Sequence, residues 1–495
     1  MSRYLLAIDQ GTTGSTVMVF DDGGDVLARA YSEFTQYYPR PAWVEHDPEE
    51  IWRVTRSLIP RACRKARIKV EQVAGIGITN QRETVVVWDR RSGEPVYRAI
   101  VWQDRRTATR CERLASDGLM PEIRRKTGLL IDPYFSATKV SWILDRVRGA
   151  RARAERGELA FGTIDSWLIW KLTAGRQHVT DYTNASRTML FNIRTKKWDR
   201  SLCSEMGVPM EMLPEVRPSA GLFGESSPGV AGGKPLPICG VAGDQQAALF
   251  GQACFKTGMV KNTYGTGCFL LMYTGDKPVS SKNKLLTTMA CGPDGGPAYA
   301  LEGSVFIAGA AVQWLRDGLG LLKKASESEA AATRVDSSLG TYLVPAFAGL
   351  GAPYWDPDAR GALVGITRGV SADHVIRATL ESLAYQTRDL VDAMSADSGR
   401  KLKILRVDGG ATANDFLMQF QADILGTSVD RPRVVETTAA GAAFLAGLGC
   451  GVLRSAREVE AARQVDRVFK PAMKAGQRRE LYGGWQRAVE RVRSG

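Results

Sequence analysis

The chain has no run of 18 or more apolar residues, no CxxC pair and only three histidines. The first lack excludes a membrane-spanning helix. The second removes the commonest zinc and thiol–disulfide motifs. The third, with His46, His178 and His374 far apart, leaves no histidine-rich metal site. Two widespread nucleotide loops are also missing: there is no GxxxxGK[ST] and no complete GxGxxG. The nearest approach, AGGKP at 231–235, has proline where a hydroxyl residue is required. The opening MSRYLLAIDQ is a short apolar stretch ending in an acid, which reads as a strand and not as a signal peptide. The terminal Arg-Ser-Gly is no known targeting tripeptide. Eight scattered cysteines read as reduced, mostly buried thiols of a cytoplasmic protein.

What is present is a soluble globular composition, 44% hydrophobic and 24% charged, over 495 residues. That length exceeds one hydrophobic core, so at least two domains are expected. The net charge of +13 raises nucleic acid as a partner. Its basic residues cluster at Arg53, Arg56, Arg61, Arg64, Lys65 and Arg67, and again from Arg146 to Arg156. The first cluster lies on a helix with Asp47 as N-cap, Pro48 at its start and Ile51, Val54, Leu58 and Ala62 inward. The second reads as a polar connection between apolar helices. No aromatics interleave with either, so both read as solvated faces and no nucleic-acid partner is expected.

Residues 4–33 read as a β-meander, with strands at 4–8, 16–20 and 25–31 and the turns DQGTTG and DDGG between them. Residues 258–303 repeat the plan: strands at 259–263 and 268–273 around YGTG, then 285–290 and 298–301. Strands at 73–79 and 84–89 follow in the first half, and a strand at 403–408 feeding a helix at 414–425 in the second. The duplication predicts two similar α/β domains, 1–253 and 254–495, with a ligand cleft between them.

Mid-chain, Gly243-Asp244-Gln245-Gln246-Ala247-Ala248-Leu249-Phe250-Gly251 sets a carboxylate at the predicted seam. Asp244 reads in two ways, as the N-cap of an Ala-rich helix or as a rigidly held general base. The two Gly/Thr hairpin turns can aim backbone N–H groups and hydroxyls at phosphate oxygens, with Asp9 on the first strand beside them. The Asp408-Gly409-Gly410-Ala411-Thr412-Ala413-Asn414 turn suits a flat adenosine, or is a plain αL turn. Gly309 and Gln313, four apart on a helix, share a face that either meets a ligand or packs.

These segments, with WVEHDP at 43–48, NQRET at 80–84, WQDRR at 102–106 and NTYGTGCF at 262–269, resemble the glycerol kinases. Those are carbohydrate kinases with the actin-like ATPase (ribonuclease H-like) fold, and the similarity runs from about residue 4 to Gly484. The resemblance implies an α/β fold of two such domains and ATP-dependent phosphorylation of glycerol to sn-glycerol 3-phosphate. It implies that Arg82, Glu83, Tyr134, Asp244 and Gln245 hold the glycerol hydroxyls, with Trp102 and Phe269 around its carbon edge and Asp244 as base. Thr12, Thr13, Gly14, Ser15, Thr266, Gly309, Gln313, Gly410, Ala411 and Asn414 would hold the nucleotide, and Asp9 the Mg²⁺. A homo-oligomer, dimer or tetramer, is implied as well.

Three departures stand out. The family usually continues its first phosphate turn as TTSSR; here Gly14-Ser15-Thr16 follows, so the arginine that would touch phosphate from position 16 is absent. The segment Gly232-Gly233-Lys234-Pro235-Leu236 lacks the arginine of an inhibitory sugar-bisphosphate loop, and residues 217–238 are short and rich in Gly and Pro. No histidine for regulatory phosphorylation occurs between His178 and His374. Two other readings stay open: a related polyol or pentulose kinase, and a nucleotide-switched sugar-binding protein without catalysis.

Overall fold

The computed structural model describes residues 4–230 and 233–494; Ala231 and Gly232, part of the Gly/Pro-rich loop singled out above, lie outside it. The first half is built on β1 (Tyr4–Gln10), β2 (Gly14–Phe20), β3 (Val26–Glu33), α1 (Pro48–Lys65), β4 (Val73–Asn80), β5 (Ala220–Glu225), β6 (Pro237–Gly243) and α2 (Asp244–Gly251). The second is built on β7 (Val260–Tyr264), β8 (Cys268–Gly275), β9 (Leu286–Cys291), β10 (Pro297–Val305), α3 (Gly309–Asp317) and α4 (Ala372–Ser398). It continues through β11 (Ile404–Asp408), α5 (Asp415–Leu425), β12 (Ser428–Pro432), α6 (Thr437–Gly449) and β13 (Val465–Phe469).

The strands form two sheets, β5-β6-β4-β1-β2-β3 and β9-β10-β8-β7-β11-β12-β13. In each, an antiparallel meander meets two parallel strands, and an antiparallel strand closes the far edge. The repeat therefore extends well past the first hairpins. One detail differs from the sequence reading: β10, not the earlier β9, takes the place that β3 holds in the first sheet, and β9 is an added edge.

Burial on both faces explains why β1 and β2 are nearly continuous apolar runs. Leu6, Ile8, Val17 and Val19 share a core with Ile51 and Leu58 of α1. Leu5, Ala7, Met18 and Phe20 pack instead with Ala442, Ala443 and Leu445 of α6, a helix from the other half. The exchange is mutual, for Leu249 of α2 packs with Leu271, Tyr273 and Ala300 of the second sheet. The two exchanged helices cross against each other so closely that a Cβ on Gly441 would lie 1.8 Å from the Ala247 carbonyl oxygen. Asp244 begins one of them.

α1 starts as read, with the Asp47 side chain accepting from the Glu49 N–H and Pro48 in the first turn; Arg64 and Lys65 lie in its last turn. The second basic cluster differs from expectation. It forms a short helix, Ala150–Glu155, in which Arg151 pairs with Asp145 and Arg153 with Asp89. These charges are answered within the protein. Among the described residues no helix is long and apolar enough to cross a membrane. His46 and His178 are locked in the structure, the first against Gln36 at 2.7 Å and the second against the Phe161 carbonyl at 2.8 Å.

Candidate active site

β6 ends at Gly243, which is the cap of α2, so Asp244 is the first helical residue and not the N-cap. Its carboxylate accepts from the Gln245 N–H at 2.7 Å and lies 3.1 Å from the Arg82 Nε. Burial pushes its carboxyl up from the usual range, against the pull of Arg82 and of that N–H. The helix start adds a positive field that favours the anion.

Arg82 follows the end of β4 and is the hub of a buried ion cluster. Its Nη1 donates to Glu302 Oε2 at 2.7 Å and to Gln246 Oε1 at 3.2 Å, and its Nη2 to the Tyr134 hydroxyl at 3.4 Å. Glu83 pairs with Arg187 at 2.5 Å and lies 3.8 Å from Arg82. Glu83 has φ of 62°, and the Thr84 N–H donates to the Arg82 carbonyl at 2.8 Å across it, a three-residue turn. Such a conformation costs about 1–3 kcal/mol and persists where the surroundings hold it. Here two arginines hold the Glu83 carboxylate.

Arg187, Glu302, Gln246 and Lys261 were not singled out in the sequence. Glu302 in β10 brings the second sheet to both arginines, reaching Arg187 Nη2 at 3.0 Å. Lys261 in β7 donates to Gln245 Oε1 and, at 2.7 Å, to Thr263 Oγ1; burial lowers its ammonium to about 8. A charged residue inside an otherwise apolar strand, as in Ala298-Tyr299-Ala300-Leu301-Glu302, is a signal that could have found Glu302.

Of the two aromatics expected to form one apolar wall, only Trp102 makes a ring contact at this site among the described residues. Trp102 meets Tyr134 edge-on, centroids 5.6 Å apart, and its indole N–H donates to Thr12 Oγ1 at 3.0 Å. That bond joins the first Gly/Thr turn to the aromatic pair. Phe269 is half-buried opposite Thr263, on the Lys261 side of β8, and makes no ring contact with Trp102 among the described residues.

The first turn closes with the Gly11 N–H on the Gly14 carbonyl at 3.0 Å, leaving Thr12 and Thr13 at its tip. Ser15 is a correction. Its hydroxyl is buried against Thr55 Oγ1 of α1 at 3.1 Å, on the far face of β2, and cannot face a phosphate. Asp9 stands at the end of β1 opposite Thr16. Burial first, then the Asp244 charge, push its carboxyl up to about 7. A surplus of buried negative charge fits a divalent cation held by one or two carboxylates and phosphate oxygens. Among the described residues no group of three or more His, Cys, Asp or Glu could chelate an ion alone.

Thr266, Gly309, Gln313, Gly410, Ala411 and Asn414 all line one cavity of about 460 Å³. Ser328, Arg316 and Glu329, unforeseen from sequence, line it as well. Gly309 serves the protein itself here: a Cβ on it would lie 2.6 Å from the Gly265 carbonyl oxygen. The hairpin carbonyls in turn accept the first N–H groups of α3, Gly309 to Gly265 at 3.0 Å and Ala310 to Thr266 at 3.1 Å. Gly410 has open space where a side chain would be. Asn414 caps α5, accepting from the Leu417 N–H at 2.9 Å.

Residues 4–251 match the N-terminal domain of the FGGY family of carbohydrate kinases, and residues 260–450 its C-terminal domain. A glycerol kinase of Carboxydothermus hydrogenoformans is 60% identical over 491 residues, 99% of this chain and 98% of that protein. Glycerol kinase 2 of Pseudomonas aeruginosa is also 60% identical, over 99% of this chain and 97% of its own. The chain belongs to the FGGY carbohydrate kinases, on their glycerol kinase branch. The crystal structure of Plasmodium falciparum glycerol kinase with ADP shares its fold at a TM-score of 0.93 and 37% identity, covering 99% of this chain and 98% of that one. In this FGGY kinase the ion cluster and the cavity therefore sit on the two domains that define the family.

Proposed function

We propose that this chain transfers the γ-phosphoryl group of ATP to a terminal hydroxyl of glycerol, giving sn-glycerol 3-phosphate, with Asp244 as general base. One observation carries the assignment of the base. Of the three acids around Arg82, Glu83 and Glu302 have side chains 1% and 0% exposed and are saturated by arginines, whereas Asp244 is 31% exposed. Of the three, Asp244 is the one open enough to take the proton of an incoming hydroxyl.

In this reading Arg82, Glu83, Tyr134 and Gln245 hold the glycerol hydroxyls, a donor and acceptor set suited to a small polyol. Trp102 and Phe269 cover its carbon edge. The adenosine lies in the cavity beside Gly410 and Asn414, and the two Gly/Thr turns hold the phosphates from opposite sides. Asp244 takes the hydroxyl proton as the oxygen attacks phosphorus in line, and alignment supplies most of the acceleration. Asp9 would hold Mg²⁺, which when bound neutralises charge on the phosphate oxygens. Closure of domains 1–253 and 254–495 about the crossed helices would exclude water, the competing acceptor.

The test is ADP release by the purified protein with ATP and Mg²⁺, across glycerol, erythritol and xylulose. Release should require an acceptor and favour glycerol in kcat/KM. Release indifferent to glycerol would overturn the assignment. The same reading makes the protein a cytoplasmic homo-oligomer, dimer or tetramer, which light scattering after size exclusion measures.

A further inference from the structure

Arg29 in β3 is exposed, and among the described residues no carboxylate forms an ion pair with it. Its backbone is tied down, the carbonyl accepting from Lys65 Nζ at 3.1 Å, but its guanidinium is committed only to a ring. Strand register shows where that guanidinium sits. Asp9 lies opposite Thr16, Thr16 opposite Tyr31, and Met18 opposite Arg29. Directly opposed residues share a face, as do residues two apart. Asp9, Thr16, Tyr31 and Arg29 therefore occupy one face of the sheet, at its phosphate end.

The Arg29 guanidinium carbon is 5.3 Å from the centroid of the Tyr31 ring. Its side chain thus runs along β3 toward the row of Thr16 and Asp9, not away from it. The Tyr31 ring in turn lies over Gly14, where a Cβ would be 2.6 Å from the ring and 2.7 Å from its hydroxyl oxygen. The departure from TTSSR then becomes one coupled change. Glycine at 14 admits the tyrosine ring, the ring carries Arg29, and threonine at 16 leaves clear the space that an arginine would fill.

We infer that Arg29 supplies from β3 the phosphate contact that an arginine at position 16 makes in the family's usual turn. The inference rests on the reading of the chain as an ATP-dependent kinase. Charge supports it, because Asp9 and Asp244 already crowd the site with negative charge before a polyphosphate enters. A guanidinium on an aromatic face keeps its planar fork available for phosphate oxygens.

Calorimetric titration with ATP and with adenosine tests this in wild type, Arg29→Ala, Arg29→Met and the double variant Thr16→Arg/Arg29→Ala. Arg29→Ala and Arg29→Met should each weaken ATP about tenfold, equivalent to about 1.4 kcal/mol, and leave adenosine unchanged. The double variant should recover ATP affinity to within about threefold of wild type. The inference is overturned if ATP affinity is unmoved, if adenosine weakens as much as ATP, or if the double variant recovers nothing. Arg29→Met keeps the stem on Tyr31, so a loss there cannot be ascribed to misfolding of β3. A wild-type protein that binds ATP but fails to phosphorylate glycerol would instead overturn the proposed function and leave these affinities to be judged on their own.

Discussion

Replacing Glu302 by glutamine removes the charge that ties the second sheet to both arginines of the first half. The carboxylate accepts from Arg82 at 2.7 and 3.1 Å and from Arg187 at 3.0 and 3.4 Å, and its side chain is fully buried. Burial by itself would raise its carboxyl; Arg187 and Arg82 override that and take it from 4.5 to about 2. A displacement of that size corresponds to about 3 kcal/mol of folding stability. Removing one partner of a buried ion pair costs roughly 3–5 kcal/mol, which agrees. Differential scanning calorimetry at pH 7 should therefore show Glu302→Gln melting roughly 3–5 °C lower. The pH dependence follows from the sign of the shift. A depressed carboxyl contributes fully above its unfolded value and loses its contribution as pH falls through the folded one. The deficit should hold steady from pH 8 to 5 and shrink only below about 4.5. Freed of Glu302, Arg82 loses an anchor, so the glycerol KM should rise while the ATP KM holds. A deficit under about 1 kcal/mol, the range of exposed pairs, or one that fades between pH 8 and 6, would refute this account of the cluster.

Asp244→Asn should lower kcat by about 10²–10⁴-fold, the span of general-base contributions, with glycerol affinity measured by titration changed less than about threefold; a kcat within tenfold of wild type would remove Asp244 from the role. Gly410→Val projects methyls into the nucleotide cavity, so the ATP KM should rise at least about tenfold with the glycerol KM unchanged, as two-substrate kinetics would show. Gly309→Ala forces a Cβ to 2.6 Å from the Gly265 carbonyl oxygen, and chemical denaturation should find it less stable by about 1–3 kcal/mol. It should also weaken ATP more than glycerol, since the second phosphate turn must shift.

Much of the fold was legible because local rules agreed with one another. Alternating apolar strands, Gly/Thr turns and the Asp47–Pro48 helix start all point to the same elements, and α1 and the meander form at those places. The six residues of the second half expected to hold the nucleotide were equally accessible, since a hairpin, a helix face and a capped turn each declare themselves locally, and they line one cavity. Ser15 failed for a physical reason. In a strand buried on both faces, hydroxyl and apolar residues alternate without telling which face meets ligand, and Ser15 turned out to serve Thr55 of α1. The cap expected at Asp244 fell one residue away because Gly243 is still extended, at φ −59° and ψ 150°. That single step matters. It places the carboxylate on the first turn of the helix, where one oxygen meets both the Gln245 N–H and Arg82.

Arg187, Gln246, Lys261 and Glu302, which sequence left unmarked, share one property: each acts across the boundary between the halves. Glu302 reaches Arg82 and Arg187 from the second sheet, and Lys261 reaches Gln245 from β7. No local pattern encodes such a pairing, because the partners lie 220 and 115 residues apart for Glu302. The exchanged helices supply the reason that these distant groups must meet. With α2 packed on the second sheet and α6 on the first, neither half can bury its apolar face without the other. The seam is therefore fixed by hydrophobic packing around Leu249 and Ala442, while the charges above it are fixed by one another. Arginines saturated in this way cannot relax when substrate arrives, and of the three acids around Arg82 the one left partly unsaturated is Asp244. Pre-organisation of that kind places the free oxygen before binding, so the reorganisation cost falls outside the chemical step.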